Sequence, residues 1–381
     1  MGIAYLAYVS LGLPDGLLGV AWPSMRASFG IPLDALGAFL VAATAGYLAS
    51  STGVASLMTR LTLGVLLALS CAATAVALLA IAAAPVWAAA VLAGALLGAG
   101  GGAIDAALNT HFATHHGPRS MSWLHASYGV GALLGPLVMT AVLALAVAWQ
   151  WGYALVALAQ LMLAAAFLLT RRHWPRLRTP AEGPRPLVDR RATLRLAPAR
   201  LGIAAFFLYA GIEAGAGQWA YTLLTEGRGE DPVAVGLWVS AYYVALTAGR
   251  VGHGAVANAI RDVTALRGAM AAALAGAGLL ALDLGAPASF AALVILGLGL
   301  APVYPALMAA TPRRVGGAHT PATVGFQVGA AVVGSAVLPG LIGVLAARAG
   351  LGVIAAVLVA LGFALIATHE LLVRSSPETL V

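Results

Sequence analysis

The stretch GALLGAGGGAIDAALNTHFATHHGPRSMSWLHASYGVGALLGP, residues 94–136, decides the fold. Its first half is apolar enough to cross a membrane, yet it carries Asp105 and Asn109. Gly98, Gly102, Asp105 and Asn109 are spaced four, three and four apart, so they share one face of a helix. Glycines on such a face let a second helix approach closely. Hydrocarbon does not solvate a carboxylate, so Asp105 has to face a bundle interior or a wet cavity. Past a short polar turn the chain re-enters with His125, Tyr128 and the glycines Gly129, Gly131 and Gly135 ahead of Pro136.

The composition agrees with a membrane chain. Of 381 residues 61% are hydrophobic and 9% charged, against roughly 25% charged in a soluble domain. With a mean hydropathy of +0.96, only a bilayer accommodates so much apolar sequence. Twelve apolar stretches have spanning length: 2–23, 34–57, 61–83, 86–110, 121–148, 150–170, 199–224, 232–257, 262–283, 287–310, 320–346 and 349–373. The alternating strands of a barrel are missing. The fold class expected is therefore an all-α integral membrane protein, with twelve transmembrane helices in two pseudo-symmetric six-helix bundles. The first bundle covers 1–170 and the second 199–381. Between them lies a linker at 171–198, rich in arginine and proline and read as extended.

Arginine placement sets the orientation. Sixteen of the twenty arginines fall in, or at the edge of, connections after even-numbered spans or in the tail, and the chain has no lysine. By the positive-inside rule that side, with the linker and both termini, is cytoplasmic. The net charge of +7 is thus a topology signal that also meets lipid headgroups, and no nucleic-acid partner is expected. No basic residue precedes Arg26, so the first span lacks a signal peptide's basic flank and is expected to be retained. The one cysteine, Cys71, reads as an inert packing residue.

The halves repeat. Asp15 is followed four residues later by Gly19 in span 1, as Glu213 is by Gly217 in span 7. LGAGGGAIDAAL at 97–108 runs beside LGLGLAPVYPAL at 296–307; setting Gly98 against Gly297 places Asp105 against Tyr304. Repeats of six spans with functional residues at related positions are a transporter signature.

These strings carry a family resemblance. LGLPDGLLGVAWPSM (11–25), GAIDAALNTH (102–111), WLHASYGVGALLGP (123–136), YAGIEAGAGQW (209–219), GLGLAPVYPAL (297–307) and FQVGAAVVGSAVLPGLIG (326–343) resemble the major facilitator superfamily. Within it they resemble the fucose-permease-like branch that includes sodium-dependent glucose transporter relatives. The resemblance implies the major facilitator fold, with spans 1, 4, 7 and 10 lining a central cavity. It also implies proton coupling and substrate binding by the acids of spans 1 and 4, here Asp15 and Asp105. Two departures stand out. The loop signature G-x-x-x-D-x-x-G-R has Leu57 at its acid position after Gly53, and Asn258 after Gly254. A G-x-x-x-G-P string at Gly131–Pro136, part of a drug-antiporter signature, is followed by Val138 and Met139 where that signature has glycines.

Asp15, Asp105 and Glu213 are the candidate proton-coupling groups. Desolvation favours the neutral form of a carboxylic acid, so hydration on alternate sides can load and unload a proton. The competing reading is an acid that only ties helices together. Asp34 and Asp283, at span ends, read as solvated. Asn109, His125 and Gln327 can donate and accept hydrogen bonds to a hydroxyl-rich solute. Trp22, Tyr128, Trp219 and Tyr304 can stack on a sugar ring. A packing role competes for each. Trp87, Trp149, Trp151 and Trp174 read as interfacial anchors. Arg250, inside span 8, reads as snorkelling to the cytoplasmic face. His111, His115 and His116 share a turn without a cysteine or paired acids, so no metal is expected. No cofactor is implied. With no phosphate-binding loop and no nucleophile elbow, neither ATP-driven transport nor enzyme activity is expected.

The function expected is secondary active transport of a small polar solute such as a sugar, by alternating access in symport with protons. Sodium is the alternative coupling ion. A monomer in the cell membrane is expected. A proton-coupled exporter of apolar or drug-like compounds is the alternative on the same fold, and a non-transporting membrane sensor the alternative outside it. A reporter fused within residues 171–200 is expected to stay cytoplasmic; labelling of that reporter from outside intact cells would invert every span.

Overall fold

A computed structural model of the protein describes residues 1–116, 118–174, 190–256 and 262–375. Among them run the helices α1 (Gly2–Phe29), α2 (Leu36–Met58), α3 (Leu63–Ala82), α4 (Trp87–His115), α5 (Pro118–Ala144) and α6 (Gln150–Leu169). A short α7 (Arg190–Arg195) precedes α8 (Ala197–Thr222), α9 (Pro232–Val256), α10 (Asp262–Ala281), α11 (Ala286–Leu300), α12 (Val303–Val315), α13 (Thr320–Ala349) and α14 (Val353–Ser375). Twelve helical segments among the described residues are long and apolar enough to span a membrane, with α11 and α12 forming one broken span. The middle of the linker and the Asn258 and Arg261 positions lie outside the described residues.

Several boundaries differ from the apolar stretches, each for a local reason. Helix α1 continues past residue 23 until Gly30 takes a left-handed conformation, φ 62°, which stops a helix without steric cost. Span 10 breaks between Leu300 and Val303. Pro302 lacks the N–H and clashes with the preceding turn, so the helix restarts there and puts Tyr304 in the first turn of α12. The described ends of the linker are helical rather than extended. Arg190–Arg195 is built from good helix formers, and Pro198 sits in the first turn of α8, where proline is favourable. Thr193 of α7 is buried and its hydroxyl lies 2.9 Å from His319 Nδ1.

The chain forms two compact units, Met1–Glu182 with Pro232–Ser240, and Gly183–Asp231 with Ala241–Val381. In the first, α1 packs along α5, α2 along α4, and α3 against α4 and α6. In the second, α8 packs along α13, and α10 against α11 and α14. First with fifth, third with fourth and third with sixth span thus recur in both units.

A second–fourth contact recurs too, at the aligned glycines. A Cβ on Gly98 would run into the carbonyl oxygen of Ala43 on α2. One on Gly297 would lie 2.6 Å from the carbonyl oxygen of Tyr242 on α9. Each seats the fourth span of its unit on the backbone of the second. Gly102 continues the seam against Tyr47. Gly12 and Gly131 do the same between α1 and α5, where a Cβ on Gly131 would run into the carbonyl oxygen of Val9. Without a hydrophobic drive between helices in lipid, this close packing is what holds the seams together.

Cys71 is fully buried among apolar side chains. Two end-of-span expectations change. Trp149 is 3% exposed and its indole N–H donates to Ser28 Oγ at 3.0 Å, so it lies in the protein's own aromatic cluster rather than at a lipid interface. Asp283 is exposed but not simply solvated: it holds Arg228 Nε at 3.0 Å, and that guanidinium also donates to Ser289 Oγ and the Leu280 carbonyl. Loops flanking the second unit's spans are tied together by this one arginine.

Gly98→Ala and Gly131→Ala are each expected to destabilise the purified protein by about 1–3 kcal/mol, as overpacking does. Gly278→Ala, with open space at its Cβ position, is expected to be neutral or to stabilise by up to about 1 kcal/mol. Thermal unfolding in detergent measures all three, and equal melting of Gly98→Ala and the wild type would refute the seam.

Candidate functional site

Asp105 lies well inside α4 on its polar face, where the glycine seam brings α2 and α1 close. Its Oδ1 accepts from Tyr8 Oη at 2.7 Å and from Asn109 Nδ2 at 3.0 Å; its Oδ2 accepts from Tyr47 Oη at 2.6 Å. All three of these partners are neutral. Asn109 reaches the carboxylate because residues four apart on a helix are neighbours. The shared face read from sequence is thus the face that α2 meets. His125, exposed on α5, packs edge-on against the Tyr8 ring at 5.6 Å and so joins the same group.

Asp15 lies on α1 across the α1–α5 seam from Tyr128, whose hydroxyl donates to its Oδ2 at 2.6 Å. Asp15 is solvent-accessible. Because lipid cannot solvate a carboxylate, that accessible side belongs to a wet surface of the protein.

The acid of the second unit is held differently. Arg250 Nη2 contacts Glu213 Oε2 at 2.8 Å and Oε1 at 3.1 Å, and donates to Tyr209 Oη at 2.9 Å. The Tyr209 hydroxyl donates to Glu213, and Tyr242 Oη donates to the Glu213 backbone carbonyl at 3.0 Å. Arg250 therefore does not snorkel. An acid within reach compensates its charge locally, which the stem alone could not do from inside a span. Tyr304 completes this group, 4.9 Å from the Phe206 ring and 5.9 Å from Tyr209. Phe206 precedes Glu213 by seven residues, as Tyr8 precedes Asp15. The Phe206–Tyr304 contact thus repeats Tyr8–Asp105 at related positions.

Three expected solute-binding residues are placed in packing instead. Trp22 is fully buried, its ring 5.5 Å from Trp87. Trp219 is fully buried and its indole N–H donates to the Pro339 carbonyl at 2.9 Å. Gln327 is buried, accepts from Thr311 Oγ1 at 3.1 Å and fills the space beside Gly202. These large side chains fill the seams between helices of their own unit.

Tyr8, Tyr47 and Tyr209 were not among the residues singled out from sequence. Tyr209 precedes Glu213 by four, a helical pairing distance that marks it. Tyr8 and Tyr47 carry no such mark, since nothing in the order of residues says which helices meet. At the C-terminal end of α4, His111 is buried, stacked on His115 at 4.8 Å and 5.3 Å from His116. No group of three metal ligands is arranged among the described residues.

Two helical units, each with an acid held in a polar seam inside its spans, define a membrane carrier. The Major Facilitator Superfamily profile matches residues 4–316, and the chain belongs to that superfamily. It is a secondary transporter, not an enzyme. No curated protein sequence matches it. Among solved structures, the nucleoside transporter NupG superposes with a TM-score of 0.78 at 13% identity, over 96% of this chain and 98% of that one. A bacterial homologue of the human lysosomal transporter Spinster, inward-facing and occupied, gives a TM-score of 0.74 at 13% identity over 98% and 94%. The human organic anion transporter MFSD10 gives 0.64 at 16% identity over 97% and 98%. At these identities the likeness is one of fold.

The Glu213–Arg250 pair has a measurable signature. Glu213→Gln and Arg250→Gln alone each strand a charge inside a span, so each is expected to lower thermal stability more than the double replacement does. A double-mutant cycle should give a coupling of about 0.5–3 kcal/mol; additive effects would show that the pair does not form.

Proposed function

We propose that the protein is a proton-coupled symporter of a small polar solute in the cell membrane, working by alternating access. The observation that carries this is the Asp105 carboxylate, whose hydrogen-bond partners Tyr8, Tyr47 and Asn109 are all neutral. Charged, it accepts from all three. Protonated, it donates to one tyrosine oxygen, and that hydroxyl turns to another acceptor. The two states differ by rotation of light hydrogens, and no cation has to be displaced. Asp15, which accepts from the Tyr128 hydroxyl, is the second coupling group. Glu213 differs, because proton exchange there requires the Arg250 pair to separate.

A sugar or similar polyol suits the amide, imidazole and hydroxyl groups of Asn109, His125 and Tyr128. The fucose-permease-like motifs support the same solute class, and the arginine distribution supports cytoplasmic termini. The protein is proposed to act as a monomer.

Asp→Asn keeps approximate size and removes titration. Asp15→Asn or Asp105→Asn is expected to abolish solute accumulation driven by a pH gradient in proteoliposomes. At least one should retain exchange of labelled for unlabelled solute, which needs no net proton cycle. If both variants fold and accumulate solute as the wild type does, neither acid couples protons, and a sodium gradient becomes the driving force to test.

A further inference from the structure

We propose that Arg250 is an anion handle: the solute carries one carboxylate, as a sugar acid does, and binds the Arg250 guanidinium in exchange with Glu213. All of the guanidinium's hydrogen bonds among the described residues run through Nη2, to Glu213 and Tyr209. Nη1 and Nε make none among those residues, and the side chain is 31% exposed, with Glu213 21% exposed. An arginine that served only to neutralise Glu213 inside a span would be expected to use its planar fork fully and to be shielded. Here two of its three nitrogens, Nη1 and Nε, make no hydrogen bond among the described residues.

The Nη1–Nη2 end of the guanidinium fits a carboxylate once one Glu213 oxygen gives way. Nη1 and Nη2 point the same way, so two carboxylate oxygens can sit end-on, one on each nitrogen. The oxygen on Nη2 takes the place of one Glu213 oxygen. Tyr209 keeps its hydroxyl on Glu213, and the Tyr304 ring stands beside Tyr209. A single guanidinium already balanced by a single acid favours a monoanion. A phosphate dianion would leave charge uncompensated inside a span, which is costly.

The consequence for coupling rests on the symport reading above. Once the solute shares the guanidinium, the Glu213 carboxylate has lost its counter-charge and takes a proton from the water that admitted the solute. One O–H bond forms at Glu213, and the proton's donor is the bulk aqueous phase on that side. Anion and proton then cross as a neutral pair, in addition to the protons assigned above to Asp105 and Asp15; on the far side the solute leaves Arg250, the Glu213 O–H bond breaks with its proton passing to the water there, and the Glu213–Arg250 pair re-forms.

The test is calorimetric titration of the purified full chain with D-gluconate and D-glucuronate. Their neutral counterparts D-glucitol and D-glucose serve as controls at matched ionic strength. An acid is expected to bind at least about tenfold more tightly than its neutral counterpart, and Arg250→Lys to weaken it by about tenfold, the effect of one charge-assisted hydrogen bond. The Glu213→Gln/Arg250→Gln double variant keeps the site uncharged and guards against simple misfolding; it should bind acid and neutral counterpart equally. Failure of both acids to bind, equal binding of the neutral pair by the wild type, or an acid preference surviving in the double variant would each overturn the proposal. Proteoliposomes separate the two readings. Gluconate that binds through Arg250 but accumulates without regard to the pH gradient refutes proton symport and keeps the anion handle. Neutral sugar that accumulates with the gradient, unaffected by Arg250→Lys, keeps symport and refutes the handle.

Discussion

Hydrocarbon offers a carboxylate no solvent, so each acid within a span must be given partners by neighbouring helices. The chain meets this in two ways. Asp105 and Asp15 receive hydroxyl and amide donors, whereas Glu213 receives a guanidinium. Neutral donors leave an acid free to change protonation in place. An ion pair makes the same change conditional on something displacing the cation. The first unit thus places its acids among hydroxyl and amide donors, and the second places its acid beside a guanidinium.

Those partners are within reach only because the helices come close. Gly98 and Gly297 remove side chains where the fourth span of each unit crosses the second, and Gly12 and Gly131 do so where the first crosses the fifth. With Gly98 seated on Ala43, the next turns bring Gly102 to Tyr47 and then Asp105 to the Tyr47 hydroxyl. A side chain at Gly98 would push α2 away and separate Asp105 from one of its donors. Packing and chemistry are therefore one feature at this seam. The repeat of the seam in the second unit gives Tyr304 the place that Asp105 occupies in the first.

Much of this was legible in the residues. The shared face of Gly98, Gly102, Asp105 and Asn109 follows from helical spacing, and the twelve spans follow from length and hydropathy. Other features were not. Trp149 and Arg250 look alike in sequence to residues that anchor or snorkel at an interface, because hydropathy places a residue along the membrane normal and says nothing about which way it turns. Trp22, Trp219 and Gln327 have the right chemistry for a solute, yet they are buried between helices of their own unit. Tyr8 and Tyr47 lie 97 and 58 positions from Asp105, and no spacing rule links them to it.

By itself, the sequence determined what must be true of each helix alone: its length, its apolar character, its glycine face, the acids that it carries inward and the family it belongs to. These depend on local periodicity and on transfer from water to lipid, which act on every segment independently. The tertiary structure alone decided the partners. Asp105 with two tyrosines, Asp15 with Tyr128 and Glu213 with Arg250 are contacts between different helices. Their existence depends on which faces meet and how closely, and that is set by packing across the whole unit.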